Sequence, residues 1–458
     1  MTNHDIELYT NEEKTAAAKE PAADPAGITE DLPDYLTLRQ QSKEAVEENR
    51  RRLHNGLEDR FSIQNHKRLR WGYTTGSSAT AAAKAAAIML VTGKVIEETA
   101  LETPKGILLH LLIEDIHIKH DPADPSRIIS VSCAVRKDGG DDMDATHGLL
   151  IYSTVSRIPE NQIRIDGGYG VGRVTRPGVD QPVGNAAINS TPRRMITEEL
   201  DRIRKEYALE GGFSVLITVP GGAEAAKKTF NHRLGIEGGI SILGTSGIVM
   251  PMSETALLNS MRAEMKMLYA NGGTYLLITP GNYGETFAKS RPDLDRTFEM
   301  KSSNFVGDTI EMAEELGVKG ILFVSHIGKF IKVSGGIMNT HSHQADCRAE
   351  LLAAAALRAG CRADTCRMIL DTLTTEDGLK ILKEEEPDHF REAMDSMGQK
   401  ILFYLNQKCQ GRMLMGAIVF STVYGQLTAT DHVDELVRKL REEGEEFRKK
   451  YPDGIPEG

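Results

Sequence analysis

The sequence predicts an α+β domain over residues 67–234, followed by an α/β domain with a mostly parallel sheet over residues 235–430. Two observations lead to this division. Before residue 235, apolar runs typical of strands follow one another with few helical patterns between them, as in layered α+β folds. After residue 235, short apolar runs alternate with helical patterns, and this rhythm is typical of a parallel sheet covered by helices on both faces.

The α+β domain is expected to begin with an alanine-rich helix and to continue mainly as strands. Apolar runs predict the strands, and the turn residues Pro220, Gly221 and Gly222 predict a hairpin. The predicted elements are helices at 75–91 and 192–207, strands at 107–113, 128–135, 149–155 and 163–165, and a hairpin formed by 213–219 and 226–230.

In the α/β domain, each apolar run ends at a polar or glycine-rich turn that leads into a helical pattern. The runs lie at 240–243, 275–278, 321–324 and 415–420, and the helical patterns lie at 253–270, 305–316, 343–359 and 432–448. Ligands of parallel sheets bind beyond the carboxyl ends of the strands. We therefore expect the functional loops directly after these runs.

The two ends of the chain have a different composition. Residues 1–66 predict a disordered leader, rich in alanine, proline and acidic residues, and then a highly charged helix over 34–66. This helix is a candidate contact for a homo-oligomer. Residues 431–458 predict a charged C-terminal helix and tail.

The overall composition is that of a globular protein, since 40% of the 458 residues are hydrophobic and 26% are charged. No apolar run approaches the roughly 18 residues that a membrane helix needs, and the acidic, polar start does not resemble a signal peptide. Five cysteines without a CxxC pair argue against a disulfide framework and a structural zinc site. We therefore expect a cytoplasmic protein that does not bind membranes.

The formal net charge of −11 argues against general affinity for nucleic acid. A small polyanionic substrate remains compatible with this charge, because its site needs only a local basic patch.

Two glycine-containing loops are candidate sites for a nucleotide-like cofactor. Each follows an apolar run and precedes a helix, so backbone N–H groups at the helix start can hold an anion, and Glu285 could accept hydrogen bonds from a ribose. The alternative for each loop is an ordinary turn. The candidate cofactor-binding residues are Gly244, Thr245, Ser246 and Gly247 in the first loop, and Pro280, Gly281, Asn282, Tyr283, Gly284 and Glu285 in the second.

Two groups are candidates for a catalytic base. His326 follows the third apolar run, and imidazole titrates near neutral pH; the alternative is a hydrogen-bonded structural histidine. Asp141 and Asp142 lie in an acidic cluster at 138–147, where crowding can raise the pKa of a carboxyl group; the alternative is a solvated turn. A third alternative is that no protein base is needed.

His341 and His343 lie at the start of the helical pattern at 343–359 and raise the question of a metal site. Because they are two residues apart, they would point to different sides of a helix, and no further ligand lies at a suitable spacing. We therefore expect no protein-bound metal, and we assign His341 to a substrate contact at the helix start.

Basic residues gather on and near a glycine-rich segment at 167–178. The planar guanidinium of arginine pairs with carboxylates through two hydrogen bonds, so this surface suits a substrate that carries several carboxylates. The alternative is a mobile surface loop. The candidate substrate-binding residues are Arg173, Arg176, Arg193, Arg194, Lys228 and Arg233.

Eight segments together resemble, in their order, those of the CbiD family, the cobalt-precorrin-5B (C1)-methyltransferases. The segments are GYTTGSSATAAAKAA, DGGDDMDATHG, GGYGVGRVTRPG, AAINSTPRRMI, KTFNHRLGIEGGISILGTSGIVMPMSE, PGNYGE, SNFVGD and GGIMNTHSHQADCRAE. The resemblance spans residues 68–430, and the long block at 228–254 is its most specific part.

The resemblance implies methyl transfer from S-adenosyl-L-methionine to C1 of cobalt-precorrin-5B, yielding cobalt-precorrin-6A in anaerobic cobalamin (vitamin B12) biosynthesis. It implies a Rossmann-like second domain, and cobalt that arrives only as part of the corrinoid substrate. It does not transfer catalytic residues, because the family lacks the recognisable S-adenosylmethionine motifs of the pathway's other methyltransferases.

The residues alone leave two alternative functions open. One is a nicotinamide-dependent oxidoreductase, which would prefer a GxGxxG turn that is missing here. The other is a non-catalytic corrinoid carrier.

Overall fold

The computed structural model describes residues 35–64 and 66–452, and the predicted leader lies outside them. Helix α1 (Tyr35–Arg52) precedes a hairpin of β1 (Phe61–Gln64) and β2 (Lys67–Arg70). The prediction of one helix through residue 66 is therefore wrong at its C-terminal end. The helix stops before Gly56, which adopts φ +86°, a left-handed conformation that glycine tolerates and a helix does not contain.

The N-terminal half contains a five-stranded sheet covered by helices on one face. Its elements after β2 are β3 (Gly72–Tyr73), α2 (Thr75–Thr92), β4 (Glu98–Glu102), β5 (Leu108–Leu112), β6 (Glu114–His120), β7 (Ile128–Arg136), β8 (Leu150–Ile158), β9 (Ile163–Gly167), β10 (Gly170–Val171), β11 (Arg173–Val174), α3 (Ser190–Glu206), β12 (Gly212–Thr218), α4 (Gly222–Ala226), β13 (Ile236–Glu237), β14 (Gly239–Ile240) and β15 (Ile248–Val249). The sheet has the order β6-β7-β8-β12-β9, and its strands are antiparallel except for the pair β12–β9.

Helix α2 lies against β7 and β8 at the centre of this half. Its alanines between Ala79 and Ala87 are fully buried, and side chains this small let the helix approach the sheet closely at interior packing density. The N-terminus of the helix is capped by Thr74, whose side chain accepts a hydrogen bond from the Ser77 N–H.

Two predictions for this half are wrong. The expected hairpin at 213–230 is instead strand β12 followed by the short helix α4, because Gly221 turns the chain with φ +78° and Gly222 packs directly on the backbone of Gly170. The run at 240–243 is not a strand of the parallel sheet. Its Ile240 and Ile242 belong to the core of the first half, where β14 pairs with β10.

The C-terminal half contains a second five-stranded sheet. Its elements are α5 (Glu254–Ala270), β16 (Tyr275–Thr279), α6 (Asn282–Lys289), β17 (Glu299–Lys301), α7 (Val306–Leu316), β18 (Gly320–His326), α8 (Ile327–Phe330), α9 (Arg348–Arg358), α10 (Ala363–Leu370), α11 (Thr375–Glu385), α12 (Phe390–Lys408), β19 (Leu414–Ser421), β20 (Gly425–Ala429) and α13 (Val433–Lys450). The order is β17-β16-β18-β19-β20, with four parallel strands and the antiparallel edge strand β20.

This sheet is buried on both faces, which explains why its strands read as continuous apolar runs. Leu276 and Ile278 join the larger core with α5, α7 and α12, whereas Leu277 points to the opposite face and packs with α6 and α13. The prediction of a mostly parallel sheet is confirmed. The predicted helices at 253–270, 305–316 and 432–448 are confirmed and correspond to α5, α7 and α13. The described residues include no helix that is long and apolar enough to cross a membrane.

The helix predicted at 343–359 begins five residues later, at Arg348. The preceding segment is a loop fixed by the buried Lys332, whose ammonium donates to the carbonyl oxygens of Thr340 at 3.2 Å and Ala345 at 2.8 Å. These contacts hold the segment in a loop against the buried lysine.

Candidate ligand cavity and its charged residues

A cavity of about 630 Å³ lies beside the edge strand β17. Helices α5, α6 and α13 and the segment 292–297 form its walls, and Arg233 reaches it from the first half of the chain. Its volume falls within the range of small-molecule sites. Two of the residues predicted from the sequence, Arg233 and Glu285, line it.

Glu285 is the centre of a cluster of cations in this cavity. Its carboxylate lies 2.6 Å from the Lys301 ammonium and 3.1 Å from that of Lys289, with the guanidinium groups of Arg233 and Arg296 at 3.9 and 4.0 Å. The hydrogen bond from Lys301 is the main reason why the pKa of Glu285 falls to about 2. The carboxylate is therefore ionised and already paired, which leaves it little capacity for a ribose hydroxyl.

Four cations surround the Glu285 carboxylate, so positive charge exceeds negative charge next to this one group, although Arg233 also lies 3.8 Å from Glu264. Glu299 offsets part of it through its 2.6 Å contact with the Arg296 Nε. A ligand with carboxylates would neutralise the remainder through charge-assisted hydrogen bonds. The cavity as a whole is lined by six basic and six acidic side chains, so a carboxylate ligand would find excess positive charge only beside Glu285.

Glu264 is a second carboxyl group of the cavity, and its environment is different. It is 8% exposed on helix α5, and its nearest cation is Arg233, with a separation of 3.8 Å. Burial raises the pKa of Glu264 to about 7. A group that is close to half protonated near neutral pH, in a cavity, can both accept and donate a proton.

Sequence reasoning missed Glu264, although a signal was present. Met261, Glu264, Met265 and Leu268 occupy positions i, i+3, i+4 and i+7 of one helical stripe, and all four are buried. A single carboxylate on an otherwise apolar stripe marks a charged group that faces the interior.

His326 lies at the carboxyl end of β18, as the sequence predicts, but both ring nitrogens are occupied. Nδ1 accepts a hydrogen bond from the Gly328 N–H at 3.0 Å, so Nε2 carries the proton and points at the Glu376 carboxylate 3.2 Å away. Glu376 also accepts from the Ser421 hydroxyl at 2.8 Å. In this arrangement His326 positions Glu376 and has no lone pair available to a substrate.

The acidic turn at 138–147 lies in the first half of the chain. Its buried Asp138 pairs with Arg70 at 2.5 Å, and its half-buried Asp144 pairs with Lys137 at 2.7 Å. Burial opposes ionisation of Asp144, but the charge of Lys137 outweighs it and the pKa of Asp144 is lowered.

The two predicted bases of this turn make backbone contacts. Asp141 accepts a hydrogen bond from the Arg70 N–H at 2.6 Å, and Asp142 accepts one from the Met252 N–H at 3.3 Å. These contacts fix the turn against its neighbours.

The two glycine loops do not share one sheet edge, and that part of the prediction is wrong. The loop of Gly244, Thr245, Ser246 and Gly247 packs against the N-terminus of α2, where the carbonyl of Gly247 accepts from the Thr74 N–H at 3.1 Å and from the Ser77 hydroxyl at 2.7 Å. A Cβ at Gly244 would lie 2.1 Å from the Thr74 Oγ1. These glycines therefore allow close packing between loop and helix.

The second loop does follow β16 at the carboxyl edge of the parallel sheet. Gly281 has φ +96° with open space around it, Asn282 accepts a hydrogen bond from Lys301 at 3.1 Å, and helix α6 starts there. The Tyr283 ring is 68% exposed and lies 5.6 Å from the ring of His326. Pro280 and Gly284 complete this loop.

Most of the predicted substrate arginines lie outside the cavity. The Arg193 guanidinium donates to the carbonyl oxygens of Ile188, Ile165 and Ala186, so it braces the first half of the chain. Arg173 pairs with Asp166 at 2.9 Å.

The other predicted basic residues have varied surroundings. Arg194 pairs with Glu198 at 3.1 Å on the exposed side of α3, and Lys228 is exposed after α4. Arg176 is buried, with its guanidinium 5.7 Å from the ring centre of Phe447, a residue of the cavity wall.

His341 lies in the exposed loop before α9. Its Nδ1 accepts a hydrogen bond from the His343 N–H at 3.2 Å. The structure does not bring it into the cavity.

A mixed α/β fold with a charged cavity of small-molecule size, into which a buried carboxyl group projects, is typical of an enzyme that acts on a small molecule. The chain belongs to the CbiD family. The family model described as CbiD matches residues 62–251, and the model described as CbiD, C-terminal domain, matches residues 339–431.

Named relatives align over nearly their whole length. Cobalt-precorrin-5B C(1)-methyltransferase of Ruminiclostridium cellulolyticum is 43% identical over 83% of this chain and 99% of its own. The protein of the same name from Alkaliphilus metalliredigens is 42% identical over 84% of this chain and 99% of its own. A crystal structure of the cobalamin biosynthesis protein (cbiD) from Archaeoglobus fulgidus is 25% identical, covers 64% of this chain and 88% of that chain, and superposes with a TM-score of 0.34.

Proposed function

We propose that this chain transfers a methyl group from S-adenosylmethionine to C1 of cobalt-precorrin-5B, giving cobalt-precorrin-6A in anaerobic cobalamin biosynthesis. The observation that carries the proposal is the similarity to the two relatives of that name, each of which aligns over 99% of its length. Cobalt then enters as part of the substrate.

The cavity beside β17 is proposed as the place where the substrate's acid side chains bind. A corrin precursor carries several acetate and propionate groups, and four cations gather around the single carboxylate of Glu285, where such groups could bind. Lys301 and Arg233 are the residues we assign to these carboxylates. Among the basic residues predicted from the sequence to bind the substrate, Arg233 is thus the one that we still assign to its carboxylates.

The methyl donor is proposed to bind at the carboxyl edge of the sheet, at the loop of Pro280 to Gly284. The exposed ring of Tyr283 suits stacking with an adenine, and the first N–H groups of α6 lack intrahelical partners. When bound, S-adenosylmethionine supplies a methyl group on a sulfonium. Helix α6 borders both proposed sites, because Glu285 on the same helix lines the cavity.

Glu264 is proposed as the base. The new bond joins the methyl carbon to ring carbon C1, the carbon–sulfur bond breaks with its electron pair left on sulfur, and the ring loses one proton. The Glu264 carboxylate accepts that proton, and its pKa of about 7 matches the task. Positioning of the two reactants supplies much of the remaining rate enhancement.

An anaerobic assay with cobalt-precorrin-5B and methyl-deuterated S-adenosylmethionine tests the function. Mass spectrometry should find one labelled methyl group on the corrinoid, and tandem fragmentation should place it at C1. A protein that binds the corrinoid but neither binds the donor nor transfers the label would be a carrier, and this result would overturn the proposal.

A further inference from the structure

Three side chains of metal-ligand type lie together where two helical turns of the C-terminal half meet. Cys361 follows Gly360 after α9, Glu386 follows the last residue of α11, and His389 precedes α12. One ligand atom of each lies within 4.8 Å of those of the other two. The group is separate from the charged cavity, and none of its members lines that cavity.

The Glu386 carboxylate is held in a fixed orientation. Its Oε1 accepts hydrogen bonds from the N–H of Arg362 at 3.1 Å, from the Nε of Arg362 at 2.8 Å and from the Thr365 hydroxyl at 3.0 Å. The hydrogen bond from the Arg362 side chain is the main cause that lowers the pKa of Glu386 to about 2. The group is therefore ionised, with Oε2 left to face His389.

The His389 imidazole and the Cys361 thiol both lie close to the Glu386 carboxylate. Nδ1 of His389 lies 3.3 Å from Oε2 of Glu386, and the ring passes over Gly360, where an added Cβ would lie 3.8 Å from it. The Cys361 thiol is buried, and burial raises its pKa to about 11. A thiol, an imidazole and a carboxylate with hydrogen-bonded second partners form a ligand set of the kind that zinc prefers.

The distances are close to those of a tetrahedral zinc site. Zinc bond lengths of about 2.0–2.3 Å place neighbouring ligand atoms about 3.3–3.8 Å apart. The separation of 3.3 Å between His389 and Glu386 already has this value, and since no separation exceeds 4.8 Å, rotation of the thiol and imidazole has to close at most about 1 Å.

We propose that Cys361, Glu386 and His389 bind one divalent cation of the zinc class, with solvent as the fourth ligand. Such an ion would tie the turn between α9 and α10 to the turn between α11 and α12. The expectation from sequence that the protein holds no metal rested on CxxC spacing and on His341 and His343, and it did not consider these three residues. Binding displaces the thiol proton, so affinity should increase with pH.

The full chain, stripped with a chelator under anaerobic conditions, should be titrated with Co²⁺ as a spectroscopic probe and then with Zn²⁺. We expect one equivalent of Co²⁺, with thiolate-to-cobalt charge-transfer absorption in the near ultraviolet, and its loss when Zn²⁺ is added. Cys361→Ser should abolish that absorption, and His389→Ala should weaken Co²⁺ binding at least tenfold. Arg362→Gln, which leaves the three ligands in place and removes the guanidinium that holds Glu386, should weaken Co²⁺ binding about 10-fold or more.

Cys347→Ser is the matched control, because Cys347 is a partly exposed thiol outside the group, and it should leave the absorption unchanged. His389 is also partly exposed, so His389→Ala serves as the test if Cys361→Ser does not fold. Absence of charge-transfer absorption in the wild-type protein overturns the proposal, as does full absorption in folded Cys361→Ser. Methyl transfer is not part of this readout, so its outcome is independent of the proposed function.

Discussion

The Lys301 ammonium lies 2.6 Å from the Glu285 carboxylate and also donates to the Asn282 side chain at 3.1 Å. Strand β17 thereby reaches across to helix α6, and the start of that helix is tied to the cationic side of the cavity. One lysine thus connects the loop proposed for the methyl donor with the site proposed for the substrate's carboxylates. The contact gives Lys301 a central place in the predictions for activity.

Replacement of Lys301 by methionine should raise the KM for the corrinoid roughly 10-fold or more, because a charge-assisted pair contributes about 1.5–3 kcal/mol. The control is Lys227→Met, since Lys227 pairs with Glu224 on an exposed surface outside the cavity. Steady-state kinetics with varied corrinoid measure both variants, and a thermal melt checks that each is folded. A KM within twofold of the wild type in folded Lys301→Met contradicts the assignment.

Glu264→Gln should lower kcat about 100-fold, the usual scale for a lost acid–base group. The wild-type rate should increase with pH through about 7, where Glu264 loses its proton, and this limb should be missing from the variant. Glu254→Gln, at an exposed position of the same helix, should keep the wild-type profile. His326→Ala separates the candidate bases Glu264 and His326. Because both ring nitrogens of His326 are already occupied, its replacement should lower kcat less than tenfold.

The same carboxyl group makes the folded protein sensitive to pH. Its pKa is raised from 4.5 to about 7 on folding, so the folded state binds the proton more tightly. Its contribution to stability is fully present below about 4.5 and is lost as pH rises to about 7. The change in pKa between the unfolded and the folded state corresponds to roughly 3 kcal/mol in the free energy of unfolding. The melting temperature of Glu264→Gln relative to the wild type should therefore rise between pH 5 and 8, and a constant difference would argue against a buried, titrating Glu264.

Periodicity located β16, β18 and β19 because strands buried on both faces are continuous apolar runs that end in turns. The same pattern misled at 240–243, where Ile240 and Ile242 are buried in the other core. Local composition does not record which layer an apolar run joins. That choice depends on tertiary pairing, here of β14 with β10.

The sequence indicated only part of the cavity lining, for a related reason. Arg233 and Glu285 were found because each lies in a segment with glycine and charge close together in sequence. Glu264 and Lys301 come from a helix and an edge strand that meet only in the folded chain. Sequence distance likewise hid the cluster of Cys361, Glu386 and His389, which two separate helical turns bring together.

Tyr283→Ala should weaken binding of S-adenosylmethionine roughly 2- to 10-fold, since an aromatic stacking contact contributes about 0.5–1.5 kcal/mol. Tyr283→Phe keeps the ring and should retain the wild-type affinity, which separates stacking from hydrogen bonding. Isothermal calorimetry with the donor alone measures both, and the KM for the corrinoid should not change. Equal donor affinity in the alanine and phenylalanine variants would place the donor elsewhere.

Gly247→Val should lower the melting temperature of the protein. Gly247 has φ +77°, and a Cβ there would lie 2.8 Å from the Thr103 Cβ and 3.0 Å from the Ser77 Oγ, so the loop would have to move away from Thr103 and from helix α2. Gly238→Val is the matched control, because Gly238 has φ +83° with nothing within 4 Å of an added Cβ. Both variants carry the cost of a left-handed valine, and the overpacking cost of about 1–3 kcal/mol falls on Gly247→Val alone.

Differential scanning calorimetry of the two glycine variants gives the comparison, and calorimetric titration with S-adenosylmethionine below the melting transition gives the second readout. Packing of the Gly244 to Gly247 loop on α2 predicts a lower melting temperature for Gly247→Val than for Gly238→Val, with donor affinity equal to the wild type in both. Equal melting temperatures would show that the loop has room to adjust. A third outcome would place the donor site in this loop: Gly247→Val melts at the same temperature as Gly238→Val but has lost affinity for S-adenosylmethionine. Gly247 would then be needed for ligand binding and not for packing on α2.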